Sequence, residues 1–212
     1  MTNSAPITAL RGCLLLCLSI ILFAPVQGQE QQVFPDYYDA AVWQPKLDSL
    51  REAIGQKVTY RNKKGIELAT LLALSHYPLL QDKKIRIVIK DQKGAPVEAS
   101  FSVWNFLKSK KGKIYIIIIE EDSFMEQLPL NKQVSALAHE MGHLIQYDGK
   151  GYLGTLTTLV GWTFSKKARI RFEKGADLIA IDHHLGPQLL DFSFYTTDAE
   201  IRAYMKALEH GN

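Results

Sequence analysis

The segment formed by residues 114–119, Ile-Tyr-Ile-Ile-Ile-Ile, limits the possible folds of this chain more than any other feature of the sequence. All of its residues are apolar or aromatic, so a strand built from them needs cover on both faces. Exposed at the edge of a sheet, such a strand would promote aggregation. We therefore expect it to lie centrally in its sheet.

Two other segments carry a β pattern and extend this strand into a sheet. Residues 85–90 alternate between apolar and charged side chains, and residues 97–104 are rich in β-forming residue types. Lys93 and Gly94 supply a turn between these two segments. Together the three segments predict a small, mostly antiparallel sheet.

Apolar residues at helical spacing predict helices on both sides of these strands in the sequence. Before the sheet, the pattern occurs in the stretch up to Ile54 and in residues 66–74. After the sheet it begins at Asn131, the expected N-cap, and returns over residues 165–185 and 198–210. The predicted fold class is α+β.

The composition is that of an ordinary globular chain and excludes several classes of protein. Of the 212 residues, 47% are hydrophobic and 22% are charged, which fits neither a disordered chain nor a membrane protein with several spans. The 25 Lys and Arg residues nearly balance the 22 Asp and Glu residues, so we expect no nucleic-acid partner. Both cysteines, Cys13 and Cys17, lie near the N-terminus, which excludes a cysteine-built metal site further along the chain.

Residues 1–28 have the pattern of a secretory signal peptide. Arg11 precedes an apolar core of about 12 residues, shorter than the roughly 20 that a membrane-spanning helix needs. Small or compact residues at Val26 and Gly28 predict cleavage before Gln29, and an uncleaved membrane anchor is the alternative. We therefore expect an exported protein, periplasmic or secreted, with residues 29–212 as a single domain.

The residues with the clearest chemistry are His139-Glu140-Met141-Gly142-His143. On a helix, residues four apart lie on one face about 6 Å apart along the axis, so both imidazoles can bind one zinc ion with Glu140 beside it. The alternative is a pair of exposed helix histidines without a metal. Two protein ligands are too few for a zinc site, so the motif requires a further ligand.

Glu173 and Asp177 are the candidates for completing the site. They too lie four residues apart in a helical pattern and share a face. If this helix packs against the first, Glu173 can be the third ligand while Asp177 accepts the second N–H of a ligating imidazole. Two alternatives stay open: Asp177 as the third ligand, or both carboxylates in solvent or paired with nearby lysines.

The five-residue motif, followed by Glu173 and Asp177, resembles the gluzincin zinc metallopeptidases and most of all the HtpX-like and CAAX prenyl protease family. The resemblance covers residues 85–186, although the gap before Glu173 is short and the family's membrane spans are absent. It implies that residues 99–103 offer a strand edge to the substrate backbone. It further implies these roles: His139, His143 and Glu173 as zinc ligands, Glu140 as general base, and Asp177 behind a ligating imidazole.

These features predict a zinc-dependent metalloendopeptidase that binds one zinc ion per chain and hydrolyses envelope or extracellular proteins. Such an enzyme needs a donor for the oxyanion of the transition state, and His184 is our choice. The other candidates are His183, Tyr147, Tyr152 and Tyr195. The apolar segment 151–164 is a buried connector, a lid, a substrate wall or a patch that contacts a membrane surface.

Two alternative functions are compatible with the same residues. One is an envelope chaperone or binding module in which the zinc is not catalytic. The other is a regulatory protease similar to the ImmA/IrrE type, whose glutamate-bearing helix also ends near a proline, as in Leu185-Gly186-Pro187. Those proteins are cytosolic and usually carry Asn at the position of Asp177, so the signal peptide argues against them.

Overall fold

The computed structural model describes residues 33–61, 65–91, 96–100, 112–121, 123–149, 154, 161 and 164–211. Contacts divide the chain into two units, residues 1–34 and residues 35–212. Every helix and strand described lies in the second unit. The expected signal peptide, the strand residues 101–104, and all but three residues of segment 151–164 lie outside the described residues. Among the residues described, no helix is long and apolar enough to cross a membrane.

A four-stranded sheet contains the isoleucine-rich segment as one of its two central strands. The strands are β1 Val58–Arg61, β2 Lys84–Lys90, β3 Val97–Ser100 and β4 Ile114–Glu120, in the order β1-β2-β4-β3. One face of β4 is buried through Tyr115, Ile117 and Ile119, and the side chains of its other face are partly buried. The prediction of a central strand is confirmed.

The expected antiparallel arrangement of the sheet is wrong. β1 pairs with β2 and β2 pairs with β4 in parallel, and only β3 and β4 are antiparallel. The physical reason is that β3 does not return beside β2 but lies on the far side of β4, so β2 and β3 cannot form a hairpin. Lys93 and Gly94, the expected turn, lie outside the described residues. Two helices separate β1 from β2, as a parallel connection requires. The α+β class is confirmed.

Eight α-helices are described. They are α1 Ala40–Trp43, α2 Leu47–Ile54, α3 Glu67–Ser75, α4 Pro78–Gln81, α5 Leu130–Asp148, α6 Lys166–Asp182, α7 Gly186–Asp191 and α8 Asp198–Gly211. The N-cap of α5 is Pro129 and not Asn131, whose side chain instead accepts from the backbone N–H of Tyr38 at 3.0 Å. Ser165 caps α6, with its hydroxyl accepting from Ala168 N–H.

Helix α5 lies at the centre of the packing and carries the histidine motif. Its apolar stripe, Val134, Leu137, Ala138, Met141 and Leu144, is fully buried. The helix packs against both α3 and α6. Tyr77, which follows α3 in the sequence, donates a hydrogen bond from its hydroxyl to the carbonyl of Ala138 at 2.7 Å. The hydrophobic core therefore fixes α5, and with it both histidines, between the sheet and the helices that follow.

Candidate metal site

Three potential metal ligands converge between helices α5 and α6. Oε2 of Glu173 lies 3.3 Å from Nε2 of His139 and 3.0 Å from Nε2 of His143. One ligand atom of each residue lies within 4.8 Å of the others, and all three residues are buried. The structure therefore brings together the two histidines of the motif and the glutamate expected as third ligand.

The close approach of α5 and α6 depends on Gly142, whereas Gly175 faces only the end of a flexible side chain. A Cβ atom on Gly142 would lie 2.6 Å from the carbonyl oxygen of Ala176, a distance that real contacts do not reach. A Cβ on Gly175 would lie 2.6 Å from Nε2 of Gln146. Since Gly142 is part of the motif and Ala176 precedes Asp177, the same contact that joins the helices also sets the spacing of the ligands.

The outer nitrogens of both imidazoles are held by hydrogen-bond acceptors. Nδ1 of His139 lies 2.7 Å from Oδ1 of Asp177, and Nδ1 of His143 lies 2.9 Å from Oε1 of Gln146. The amide of Gln146 is oriented because its NH₂ group donates to the carbonyl of Phe172 at 3.0 Å. Both Nδ1 atoms therefore carry a hydrogen, so either ring, when neutral, presents the lone pair of its Nε2 to the centre of the site.

This arrangement leaves three acceptors facing one another. Two Nε2 lone pairs and the Glu173 carboxylate repel each other unless a proton or a metal cation lies among them. Burial is the largest single influence on His139 and lowers its pKa, but the hydrogen bonds to Asp177 and Glu173, together with the negative charges of Glu140 and Asp177, outweigh it and raise the pKa to about 10. The donor set, two imidazoles and one carboxylate, is the type that binds a divalent metal ion.

Asp177 lies behind His139 and is completely buried. Its second oxygen, Oδ2, accepts hydrogen bonds from the hydroxyls of Thr196 at 2.6 Å and Ser193 at 3.2 Å. This position excludes the alternative of a solvated or lysine-paired Asp177, and it is also not that of a third ligand, because Asp177 contacts the outer nitrogen of His139. The sequence carries no signal for the two hydroxyl residues, which lie between α7 and α8 without a recognisable motif.

Glu140 lies beside the three ligands at the edge of the sheet. It is 7% exposed, and its Oε2 accepts a hydrogen bond from the backbone N–H of Ala99 in β3 at 2.5 Å. Burial raises the pKa of Glu140, and the nearby imidazoles of His139 and His143 partly oppose that rise. The backbone bond holds one carboxylate oxygen in place and leaves the other for chemistry.

The four residues share a pocket of about 390 Å³. Its walls include β3 residues and the aromatic side chains of Tyr147, Phe172, Phe194 and Tyr195. Phe172 stacks on the ring of His143 with centroids 4.6 Å apart, and Tyr195 stacks on His139 at 5.6 Å. The potential ligands are therefore accessible from a cleft and not sealed in the core.

The structure does not bring His184 to this pocket. His184 follows the end of α6, where it is exposed and adopts a left-handed backbone conformation with φ of 64°. His183 caps the same helix and packs against Tyr77, away from the pocket walls. Of the other residues considered as oxyanion donors, Tyr147 and Tyr195 line the pocket, and Tyr152 lies outside the described residues.

Comparisons of the chain with protein-family models, with curated proteins and with solved structures found no match.

Replacing Asp177 with Asn is expected to weaken metal affinity about tenfold to a hundredfold. An amide oxygen is a poorer acceptor than a carboxylate, so it would make the imidazole of His139 less basic. A competition titration with a chromogenic chelator measures this affinity. The matched control is Asp182→Asn, an exposed residue of the same helix that accepts from the Tyr204 hydroxyl. Equal affinities in the two variants would show that the Asp177 contact does not support the site.

Proposed function

We propose that this protein is a zinc-dependent metallopeptidase that hydrolyses peptide bonds. The observation that carries the proposal is the convergence of His139, His143 and Glu173 in one pocket with Glu140 beside them. This combination provides a metal site and a carboxylate base in a cleft that a substrate can enter. The resemblance of the motifs to those of metallopeptidases supports a peptide or an extended segment of a protein as the substrate.

The choice of zinc is supported by the chemistry of the donors. Two imidazole nitrogens and one carboxylate oxygen form the three-ligand set of catalytic zinc sites, which keep a fourth position open. Calcium and magnesium favour sites built from oxygen alone, and a structural zinc site has four protein ligands. Among the described residues, only three groups of metal-ligating type converge here, which favours a catalytic over a structural ion.

Glu140 is the general base in this proposal. When bound, the zinc ion would lower the pKa of a water molecule and polarise the peptide carbonyl. Glu140 takes a proton from that water at its free carboxylate oxygen while Ala99 N–H holds the other oxygen. As the resulting hydroxide adds to the peptide carbonyl carbon and the C–N bond breaks, Glu140 delivers the proton to the nitrogen of the leaving amine. Its raised pKa places Glu140 closer to the value that suits both steps.

The other residues orient the reacting groups. Asp177 and Gln146 fix the tautomer and direction of the two imidazoles, so both Nε2 atoms face the same point. Helix α5 is buried on its apolar stripe and holds His139, Glu140 and His143 on a rigid element. Export of the chain, and action in the periplasm or outside the cell, stay predictions from residues 1–28.

The test uses the chain from residue 29 onward, purified without added metal. We expect one zinc ion per chain by mass spectrometry, casein hydrolysis that a chelator abolishes, and recovery of hydrolysis on adding zinc. His143→Ala should lose both zinc and activity because it removes one of three ligands. His210→Ala, an exposed histidine of α8, is the matched control and should keep both. A zinc-free wild type, or equal zinc content in both variants, would contradict the proposal.

A further inference from the structure

A row of aromatic rings leads outward from the metal site. It begins with Tyr195, stacked on His139, and continues to Phe194 with a centroid distance of 6.4 Å. Phe194 contacts Phe192 at 4.7 Å, and Phe192 contacts Phe124 at 6.2 Å. We call these four side chains, Tyr195, Phe194, Phe192 and Phe124, the aromatic track.

The aromatic track is open to solvent along much of its length. Tyr195 is 43% exposed, Phe194 is 49% exposed and Phe124 is 40% exposed. Single exposed apolar residues are common, but adjoining exposed aromatic rings that start in a pocket indicate a binding surface. Tyr195, the first ring of the track, stacks on the candidate metal ligand His139. A substrate whose cleaved bond reaches the metal site therefore lies against the track.

The aromatic track is held firmly relative to the ligands. Ser193 and Thr196, on either side of Phe194 and Tyr195, both donate to Asp177, which also holds His139. The Ser135 hydroxyl of α5 donates to the carbonyl of Phe192. A surface that is already ordered loses little conformational entropy on binding, so its apolar area can contribute to affinity.

The charges in the pocket disfavour an acidic ligand. Glu98, Glu140 and Glu173 line the pocket, and its described lining contains neither Lys nor Arg. A bound zinc ion would offset the charges of Glu140 and Glu173 but not that of Glu98, so a substrate carboxylate near β3 would meet a like charge, whereas an uncharged apolar side chain would meet aromatic rings. The shape and the charge of the pocket therefore both favour uncharged apolar side chains.

We propose that the aromatic track binds large apolar side chains of an extended peptide on one side of the bond that is cleaved. Aromatic side chains fit best because they can stack or pack edge-on against Phe194 and Tyr195. The preferred substrate class is then an unfolded or extended polypeptide with exposed aromatic or large aliphatic residues and without acidic residues near the cleaved bond. This inference rests on the proposed function, but binding to the track can be measured without hydrolysis.

The test measures the binding of short fluorescein-labelled peptides to the Glu140→Gln variant by fluorescence anisotropy, with and without zinc. The peptides are identical except for one guest residue, which is Phe, Ala or Glu, placed at each position in turn. At the best position we expect the Phe peptide to bind about tenfold more tightly than the Ala peptide, and the Glu peptide to bind most weakly.

Phe194→Ala should remove most of the preference for Phe because it takes away the central ring of the track. Phe124→Ala, at the outer end, is the second variant and should weaken only peptides that extend beyond the pocket. Tyr37→Ala, an aromatic residue that is 55% exposed and does not line the pocket, is the matched control and should bind as the parent does. Thermal unfolding checks that each variant is folded.

Two results would overturn the inference: equal affinity for the three guest residues at every position, or an unchanged Phe preference in a folded Phe194→Ala variant. Failure of the proposed function gives a different pattern. If the wild type hydrolyses none of the peptides but binds them with the Phe preference, the metallopeptidase proposal fails and the aromatic track is supported. If it hydrolyses them without any preference, the track is rejected and the metallopeptidase is supported.

Discussion

Glu140→Gln is expected to lower kcat for peptide hydrolysis at least about a hundredfold while the chain keeps its zinc ion. Gln has nearly the same size as Glu and still offers an oxygen to the N–H of Ala99, so the fold and the neighbouring ligands should not change. It cannot take a proton from water, and general acid–base catalysis typically contributes about 10²- to 10⁴-fold. Steady-state kinetics with a fluorogenic peptide, together with zinc analysis of the same sample, measure both quantities.

The control for Glu140→Gln is Glu52→Gln, which makes the same chemical change at an exposed residue of α2. It should leave kcat, KM and zinc content at wild-type values. If Glu140→Gln were as active as Glu52→Gln, the observed hydrolysis would not use this carboxylate, and the role of general base would have to be withdrawn.

Gly142→Ala is expected to reduce the free energy of unfolding by about 1 to 3 kcal/mol and to weaken zinc binding. The new methyl group would lie 2.6 Å from the backbone oxygen of Ala176, so the helices must move apart and no side-chain rotation can relieve the contact. Glu173 and Asp177 are on the helix that moves. Urea denaturation of the metal-free protein measures the first effect, and a chelator competition titration measures the second.

Gly149→Ala provides the comparison for this substitution. Gly149 caps the same helix with φ of −73°, and a Cβ there would lie 3.5 Å from the oxygen of Ile145, which is an ordinary contact. We expect a small change in stability and unchanged zinc affinity. If Gly142→Ala were as stable as Gly149→Ala and bound zinc equally well, the close contact between α5 and α6 would not determine the ligand geometry.

The parts of the site that could be predicted from the sequence are those fixed by a single helix. The spacing of His139 and His143 places both imidazoles on one face of α5, and the same spacing relates Glu173 and Asp177 on α6. The buried face of α5 can also be predicted from the sequence, because its apolar residues recur with the helical period. The meeting of the two helices was a hypothesis from chemistry, and the structure brings the side chains together as expected.

The parts that could not be predicted depend on contacts between distant segments. No local sequence pattern indicates that β3 lies on the far side of β4. Strands that follow one another in the sequence therefore predict antiparallel hairpins, whereas the sheet is mostly parallel. The group that holds Glu140 is the backbone N–H of Ala99, and a backbone group has no signature in a sequence. The place of His184, seven residues after Asp177, predicts a position near the site, but the left-handed backbone conformation after α6 leaves it exposed and outside the pocket lining.

The hydrogen bonds from Ser193 and Thr196 to Asp177 have a consequence for folding. These hydroxyls follow every candidate ligand in chain order, so a growing polypeptide that has already formed α5 and α6 still lacks them. A domain generally folds as a unit, so its last segments are needed before its interior contacts are complete. A nascent chain ending at Asp191 would contain all the ligands but would leave Asp177 without its two donors. The candidate metal site can therefore complete its hydrogen-bond network only after residues 193–196 have been synthesised.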